Sequence, residues 1–270
     1  MFFLPLSDDN SVLRPAFIVW VIIAACAVVF LWQFSLTPEA REQASIAFGM
    51  IPAHVFGNAA LPRHLELLPA WATLFSYMFL HGGWMHLIGN MWFLRIFGDN
   101  VEDAMGRTRF TIFYVVAGVV AAVAQSAINP MSHVPMIGAS GAIAGVLGAY
   151  IVLYPRANVR ILMFFFFFIR IINVPAVFVL GAWFLLQLIS AERSVGSDAG
   201  VAFWAHVGGF LCGCFLLPLF KRGNVPLFGE ARSRAFAVSG PGIRGAGRIP
   251  NVIPPGEDRR ADSPWSRRSW

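Results

Sequence analysis

Side chains that could do chemistry stand in three short segments of an apolar chain. Ser140 lies in the glycine-rich segment MIGASGAIAG, and His206 lies in the segment AHVGGFLCG. His86 and Asn90 are four residues apart, so they would share one face of a helix. A hydroxyl becomes a useful nucleophile when a base removes its proton, and a neutral imidazole is suited to that task. These segments are therefore candidates for a site of acyl transfer.

The composition places these side chains in a membrane protein. Of 270 residues, 57% are hydrophobic and 13% are charged, whereas soluble domains carry about 25% charged residues. Helices are the expected spanning elements, because backbone polar groups in lipid must be satisfied internally. The apolar runs near spanning length are residues 16–34, 84–97, 111–128, 140–154, 174–190 and 201–220. We therefore expect an all-α polytopic membrane protein with a bundle of six transmembrane helices.

Basic residues predict the orientation of this bundle, because Lys and Arg concentrate in cytoplasmic segments. With the N-terminus inside, the inner segments hold Arg14, Arg107, Arg109, Arg156, Arg160, Arg170 and ten basic residues after Phe220, and the outer ones hold Arg41, Arg63 and Arg193. Both termini are then cytoplasmic. The first run is not expected to be a cleaved signal peptide, since Asp8 and Asp9 precede it in place of a cationic cluster.

The chain divides into three predicted parts. Residues 1–15 form a short cytoplasmic N-terminus, residues 16–220 form the transmembrane core, and residues 221–270 form a basic tail. The tail is rich in Gly and Pro and has too little apolar content to fold alone, so we expect it to be disordered. It could contact anionic lipid headgroups or serve only as a solvated anchor. Nucleic-acid binding is not expected, because no recognition fold accompanies the charge.

The fourth apolar run is too short to cross a bilayer unaided. Residues 140–154 would form about 22 Å of helix, against a hydrocarbon core about 30 Å thick. Because Pro155 ends the run at its inner side, we expect Ser140 to begin a sunken fourth helix beneath the outer surface. Gly138 and Gly141 would let the chain turn sharply there. The free N–H groups at such a helix start would favour an oxyanion beside the serine.

His206 is expected at a matching depth, about six residues or about 9 Å in from the outer end of the last span. It would thus share the outer third of the bilayer with Ser140 and with the His86–Asn90 pair. Small residues would let the fourth and sixth helices approach closely. They are Gly141, Gly145 and Gly148 on one helix and Gly209 and Gly213 on the other. No Asp or Glu is expected at that depth, which favours a Ser140–His206 dyad over a triad.

The run ILMFFFFFI at residues 161–169 is too short to span. We expect an interfacial or re-entrant piece on the inner leaflet that leads into the fifth helix. The alternative is one long tilted helix in which Arg170 extends its charge to the interface. Neither interpretation puts chemistry in this segment.

The motifs His86-xxx-Asn90, Gly138-Ala-Ser140-Gly and Ala205-His206-xx-Gly209-xxx-Gly213 occur in this order on alternate spans. Together they resemble the rhomboid family of intramembrane serine proteases, and the likeness covers about residues 16–220. Further similarity to bacterial members lies in residues 71–81, 98–102 and 175–187.

The resemblance implies a six-helix core that cleaves transmembrane segments of other proteins in the membrane. It implies that Ser140 is the nucleophile and His206 the general base, with the oxyanion held by His86, Asn90 and the backbone N–H of Ser140. Gly138, Gly141, Gly209 and Gly213 would be structural glycines of the site. Some relatives have a tyrosine stacked on the histidine, four residues after the serine, where this chain has Ala144. We expect transmembrane substrates and lipids as partners, no metal or cofactor, and a bacterial inner membrane as the location.

Two other functions compete with proteolysis as interpretations of these residues. A metal transporter or metalloenzyme could use His81, His86 and His206, but it would not need the glycines around Ser140, and the HExxH pattern is missing. A catalytically inactive rhomboid-like protein that binds transmembrane helices would not need Ser140 and His206 together. The sequence therefore favours an intramembrane serine endopeptidase.

Overall fold

The protein is mostly helical, as seen in a computed structural model that describes residues 2–165, 168–193 and 202–229. The helices are α1 (Phe17–Ser35), α2 (Pro38–Phe48), α3 (Pro52–Val55), α4 (Thr73–Ser76), α5 (Trp84–Met105), α6 (Arg107–Ile128), α7 (Ser140–Leu153), α8 (Ala176–Arg193) and α9 (Phe203–Phe220). The strands are β1 (Phe2–Asp8), β2 (Asn158–Phe165) and β3 (Phe168–Pro175). Most of the predicted tail, from residue 230 onward, lies outside the described residues.

Helix α7 lies at the centre of the bundle and packs against α5, α6 and α9. Eleven of its fourteen residues are buried, which is the pattern of a helix surrounded by others. Close packing depends on its small residues. A Cβ on Gly145 would lie 2.5 Å from the Cβ of Ala117 on α6, and a Cβ on Gly213 of α9 would overlap the Gly145 carbonyl. The backbones of α7 and α9 are therefore in direct contact.

A carboxylate from α5 fastens the start of α1. No side chain of its own caps this helix. Instead Glu102, near the end of α5, accepts the backbone N–H groups of Phe17, Ile18 and Val19 at 2.9, 3.0 and 2.9 Å. A negative charge at a helix N-terminus accepts hydrogen bonds from the free amides and interacts favourably with the helix dipole. This interaction holds the first two long helices together at the end of the bundle opposite Ser140.

A three-stranded antiparallel sheet in the order β1-β2-β3 corrects the expectation of an all-α fold. Residues 161–165 lie in β2 and residues 168 and 169 lie in β3, so the alternative of one long tilted helix was wrong. An interfacial or re-entrant position of this segment on the inner leaflet stays a prediction. The register pairs Asn158 with Pro175 and Leu4 with Leu162. Part of the predicted N-terminal segment, Phe2–Asp8, thus forms an edge strand of this sheet. Its Asp9 accepts hydrogen bonds from the Asn158 backbone and side-chain N–H groups at 2.9 and 2.8 Å.

Within the described ranges, four helices are long and apolar enough to cross a membrane, namely α1, α6, α8 and α9. The shorter apolar helix is α7, which has fourteen residues. The sixth predicted run falls on α5, which has 22 residues and carries several polar side chains. Each predicted apolar run therefore coincides with one helix, and the protein is an integral membrane protein.

Candidate active site

Ser140 is the first residue of α7, at the end of a connection held in place from two sides. Met136 exchanges two backbone hydrogen bonds with Met50, at 3.0 and 2.8 Å. The Gly138 N–H donates to the Tyr77 carbonyl at 2.9 Å. Gly138 has φ +124°, and a Cβ there would lie 2.7 Å from the His86 ring. Only glycine fits this turn without strain, and the turn sets the serine at the helix start.

His206 comes from the first turn of α9, beside the start of α7. Its Nε2 lies 2.8 Å from the Ser140 Oγ. The glycines explain this short distance, since Cβ atoms on Gly209 and Gly213 would collide with the carbonyls of Gly141 and Gly145. The structure thus brings together the two residues predicted as nucleophile and base, 66 positions apart in the chain.

His86 and Asn90 lie on one face of α5, across the site from His206. The Gly82 N–H donates to His86 Nδ1 at 3.3 Å, so the ring proton of a neutral His86 is on Nε2, which faces Gly138. Asn90 is only 8% exposed. Its Nδ2 has no hydrogen-bond partner among the described residues. Two N–H donors on this face are therefore available to an oxygen atom beside Ser140.

A cavity of about 890 Å³ joins these groups. Its lining includes Ser140, His206, His86, Asn90 and Gly138, and its apolar walls include Trp183 of α8. Among the described residues no side chain caps α7 at this end, and its first residues, Ser140 and Gly141, line the cavity. A bound carbonyl group next to Ser140 would meet donors from α5 and from the start of α7.

Metal ligation does not fit the arrangement of the histidines. Among the described residues no three His, Cys, Asp or Glu side chains are grouped so as to hold a metal ion. The His81 ring lies 5.2 Å from the His86 ring, and its Nδ1 is 3.2 Å from the Phe79 carbonyl. Burial, followed by the effect of His86, lowers the pKa of His81 to about 4. His81 is thus a neutral buried residue next to the site.

The structure adds Gln187 of α8, which sequence reasoning did not single out as a site residue. Its Oε1 lies 2.7 Å from His206 Nδ1. The Trp183 ring, one turn earlier on the same helix, lies 6.0 Å from the imidazole. A glutamine inside an apolar run, four residues after a tryptophan, was the available signal. Its partner could not be identified without knowing how α8 is rotated against α9.

The segments that carry the site also match a known protein family. A family model for the rhomboid domain matches residues 69–223, which is more than half of the chain. The chain belongs to the rhomboid family. All four predicted site residues of this rhomboid lie inside the matched segment: His86, Asn90, Ser140 and His206.

Individual relatives come from plants and bacteria. RHOMBOID-like protein 5 of Arabidopsis thaliana is 30% identical over 165 residues, which cover 58% of this rhomboid and 46% of that protein. Rhomboid protease GluP of Bacillus subtilis is 31% identical over 162 residues, which cover 59% of this chain and 28% of GluP. The matches thus span about half of these relatives or less.

Proposed function

We propose that this rhomboid is an intramembrane serine endopeptidase that cleaves transmembrane segments of other membrane proteins with a Ser140–His206 dyad. The observation that carries the proposal is the distance of 2.8 Å between Ser140 Oγ and His206 Nε2. A hydroxyl in contact with an imidazole can be deprotonated as it attacks. The rhomboid-domain match and the name of the relative GluP, a rhomboid protease, support the same activity.

The first half of the reaction forms an acyl-enzyme. The Ser140 Oγ attacks the scissile carbonyl carbon while His206 Nε2 takes the hydroxyl proton. The carbonyl oxygen becomes an oxyanion, which Asn90 Nδ2, His86 Nε2–H and the first N–H groups of α7 can stabilise. When the tetrahedral centre collapses, the C–N bond breaks and His206 returns the proton to the leaving amine. The acyl group remains bonded to Ser140.

The second half repeats these steps with water. His206 removes a proton from a water molecule as its oxygen attacks the ester carbon, and the same donors stabilise the second oxyanion. The bond between the acyl carbon and Ser140 Oγ then breaks, and His206 reprotonates the serine. The polar groups of the cavity give water a place to bind in an otherwise apolar bundle.

We infer that α1 and α5 to α9 form six spans with both termini in the cytoplasm. At 1.5 Å per residue, α7 is about 21 Å long, less than the hydrocarbon thickness of about 30 Å. The site would then lie below the outer membrane surface, and the basic residues would face the inner side. A bacterial inner membrane fits this arrangement. Cysteine accessibility in intact cells tests the orientation. In a His64→Cys variant, residue 64 should be labelled in intact cells, and labelling only after lysis would mean that the orientation is the opposite one.

Proteoliposomes that hold the purified full chain and a model transmembrane substrate test the activity. Ser140→Ala and His206→Ala should each abolish cleavage, because each removes one member of the dyad. The matched controls are Ser126→Ala, a buried serine on α6 that donates to the Ala122 carbonyl at 2.8 Å, and His133→Ala, an exposed histidine. Both controls should retain cleavage. Full activity in either dyad variant would refute the proposal.

A fluorophosphonate probe separates a protease from an inactive helix-binding protein. The wild type should be labelled at Ser140, and Ser140→Ala should not be labelled. A wild type that binds the substrate helix but neither cleaves it nor reacts with the probe would be the inactive protein instead. Cleavage that continues in the presence of a chelator would exclude a required metal ion.

A further inference from the structure

The catalytic imidazole has a polar partner on its far side. Gln187 Oε1 lies 2.7 Å from His206 Nδ1, while Ser140 Oγ lies 2.8 Å from His206 Nε2. Gln187 is half-buried on α8, a helix made almost entirely of apolar residues. A polar side chain in such a span usually faces the interior and usually has a functional reason to be there. Both ring nitrogens of His206 are thereby occupied.

This arrangement selects one tautomer of the neutral ring. An amide oxygen can only accept a hydrogen bond, so the proton of His206 is on Nδ1 and Nδ1–H donates to Gln187. The Nε2 lone pair then faces the Ser140 hydroxyl, as a general base requires. With the proton on Nε2 the ring would donate to the serine and could not deprotonate it. The tautomer of a histidine is commonly set by the hydrogen bond of its other nitrogen.

The other neighbours of His206 described below do not set its tautomer, so Gln187 is the side chain that does. Ala144, at the place of a stacking tyrosine in some relatives, is buried and carries no ring. The Trp183 and Phe203 rings contact the imidazole at 6.0 and 6.3 Å between centroids, and they limit its tilt without hydrogen bonding to it. Among the described residues that line the cavity there is no Asp or Glu. A neutral amide also avoids the cost of a carboxylate buried at membrane depth.

We propose that Gln187 is the positioning residue of the dyad, holding His206 in the tautomer and orientation that activate Ser140. The inference rests on the proposed function, because it concerns the same reaction. Gln187 is not among the residues that line the cavity, and it contacts His206 at Nδ1 rather than at Nε2, the nitrogen that faces Ser140. Its contribution should therefore appear in kcat, with little change in KM for the substrate.

Three variants of nearly equal size separate positioning from packing. Gln187→Met keeps the length and removes the acceptor, so we expect kcat to fall about 10- to 100-fold, within the range of general-base effects. Gln187→Glu instead keeps an oxygen acceptor at this position, so its kcat should stay much closer to that of the wild type. The control is Gln125→Met on α6, a glutamine that accepts the Ala205 backbone N–H at 3.3 Å but does not contact the ring. It should keep the wild-type kcat.

The pH profile and the ring nitrogens supply readouts that packing alone would not change. In Gln187→Glu the added negative charge favours the imidazolium, so the acidic limb of the kcat/KM profile should move to higher pH. The other titratable groups of the cavity, His86 and Tyr77, are the same in every variant. Nitrogen-15 NMR of labelled histidine in the wild type should identify a protonated Nδ1 in His206, whatever the variants do.

The outcomes distinguish this inference from the proposed function. If the wild type fails to cleave and to react with the fluorophosphonate, the proposed function fails. If the wild type cleaves while Gln187→Met matches it in kcat and pH profile, only the positioning role is refuted. Should Gln187→Met fail to fold, an Nε2-protonated His206 in the wild type would still overturn it.

Discussion

Most buried polar groups at the sheet end of the helix bundle are paired, with Asn158 Oδ1 as an exception among the described residues, whereas several at the Ser140 end are not. At the sheet end, Glu102 accepts three backbone N–H groups, and Asn100 joins Asn10 and Asp8 at 2.6 and 2.8 Å. At the Ser140 end, Asn90 Nδ2 and His81 Nε2 are buried without a hydrogen-bond partner among the described residues. The described carboxylates that are buried or half-buried lie at the first end, and the candidate site lies at the second.

This difference separates stability from activity along the same helices. A buried polar group left without a partner costs about 1–3 kcal/mol, and proteins retain such groups mostly where a ligand or a reaction uses them. The paired groups at the sheet end instead fix β1, α1 and α5 to one another. Substitutions at the sheet end should therefore lower stability, whereas substitutions at the Ser140 end should lower turnover.

The largest expected effect compares two asparagines on α5. Asn90→Ala removes a proposed oxyanion donor and should lower kcat about 100- to 1000-fold, with the thermal midpoint unchanged or raised because a buried unpaired group is lost. Asn100→Ala breaks bonds to Asn10 and Asp8 and should lower the midpoint while the folded fraction keeps its kcat. Turnover and thermal unfolding in detergent measure both. Equal loss of stability in the two variants would contradict the comparison.

The next effect concerns the carboxylate that caps α1. Glu102→Gln keeps the shape but removes the charge, and hydrogen bonds to charged groups contribute about 1.5–3 kcal/mol each. We expect a loss of about 2 kcal/mol in the free energy of unfolding. The control is Glu39→Gln in the first turn of α2, where the side chain is exposed. If the control destabilises the protein as much, the cap does not hold α1 to α5.

A third test uses the glycines that let α7 and α9 touch. Gly213→Ala would place a methyl group on the Gly145 backbone, and such overpacking costs about 1–3 kcal/mol. The helices must separate, so the Ser140–His206 contact should lengthen and fluorophosphonate labelling should slow. Gly181→Ala on α8 is the control, because its Cβ meets nothing within 4 Å. Alanine favours helix there, so the control should be neutral or slightly stabilising.

The arrangement of the candidate site was predictable because its signals are local. The spacing of His86 and Asn90 fixes a shared helix face, and counting residues along the apolar runs predicts a matching depth for Ser140 and His206. The glycines at 209 and 213 indicated a close helix pair. None of these inferences required knowledge of which distant residue a side chain meets.

The sheet and Gln187 depend on partners that the sequence does not indicate. A run such as ILMFFFFFI is compatible with a strand or a buried helix, and pairing with Phe2–Asp8, more than 150 positions earlier, decides for the strand. Gln187 lies in a recognisable apolar run, but its contact with His206 depends on the rotation of α8. Sequence periodicity does not determine which distant strands pair or how a helix is rotated about its own axis.

The smallest expected effect is a pH dependence at the sheet end, carried by Asp8. This carboxyl accepts hydrogen bonds from the Tyr150 hydroxyl at 2.6 Å and from Asn100 at 2.8 Å. Burial, opposed in part by the Tyr150 bond, raises the pKa of Asp8 from 3.8 to about 7. The folded state therefore binds the proton more tightly than the unfolded state, and stability declines as the pH rises through that interval.

Thermal midpoints at pH 5.5 and pH 8.5 measure this effect, whose titrating group lies at the sheet end of the molecule. The wild type should unfold at a lower temperature at the higher pH. Asp8→Asn keeps the acceptor for Tyr150 without a titrating proton, so it should flatten this dependence, whereas the exposed Glu39→Gln should not. A wild type that is more stable at pH 8.5, or an Asp8→Asn variant with the same slope, would mean that this end is not held by a protonated carboxyl. The sheet end would then differ from the Ser140 end only through its paired asparagine amides and through Glu102.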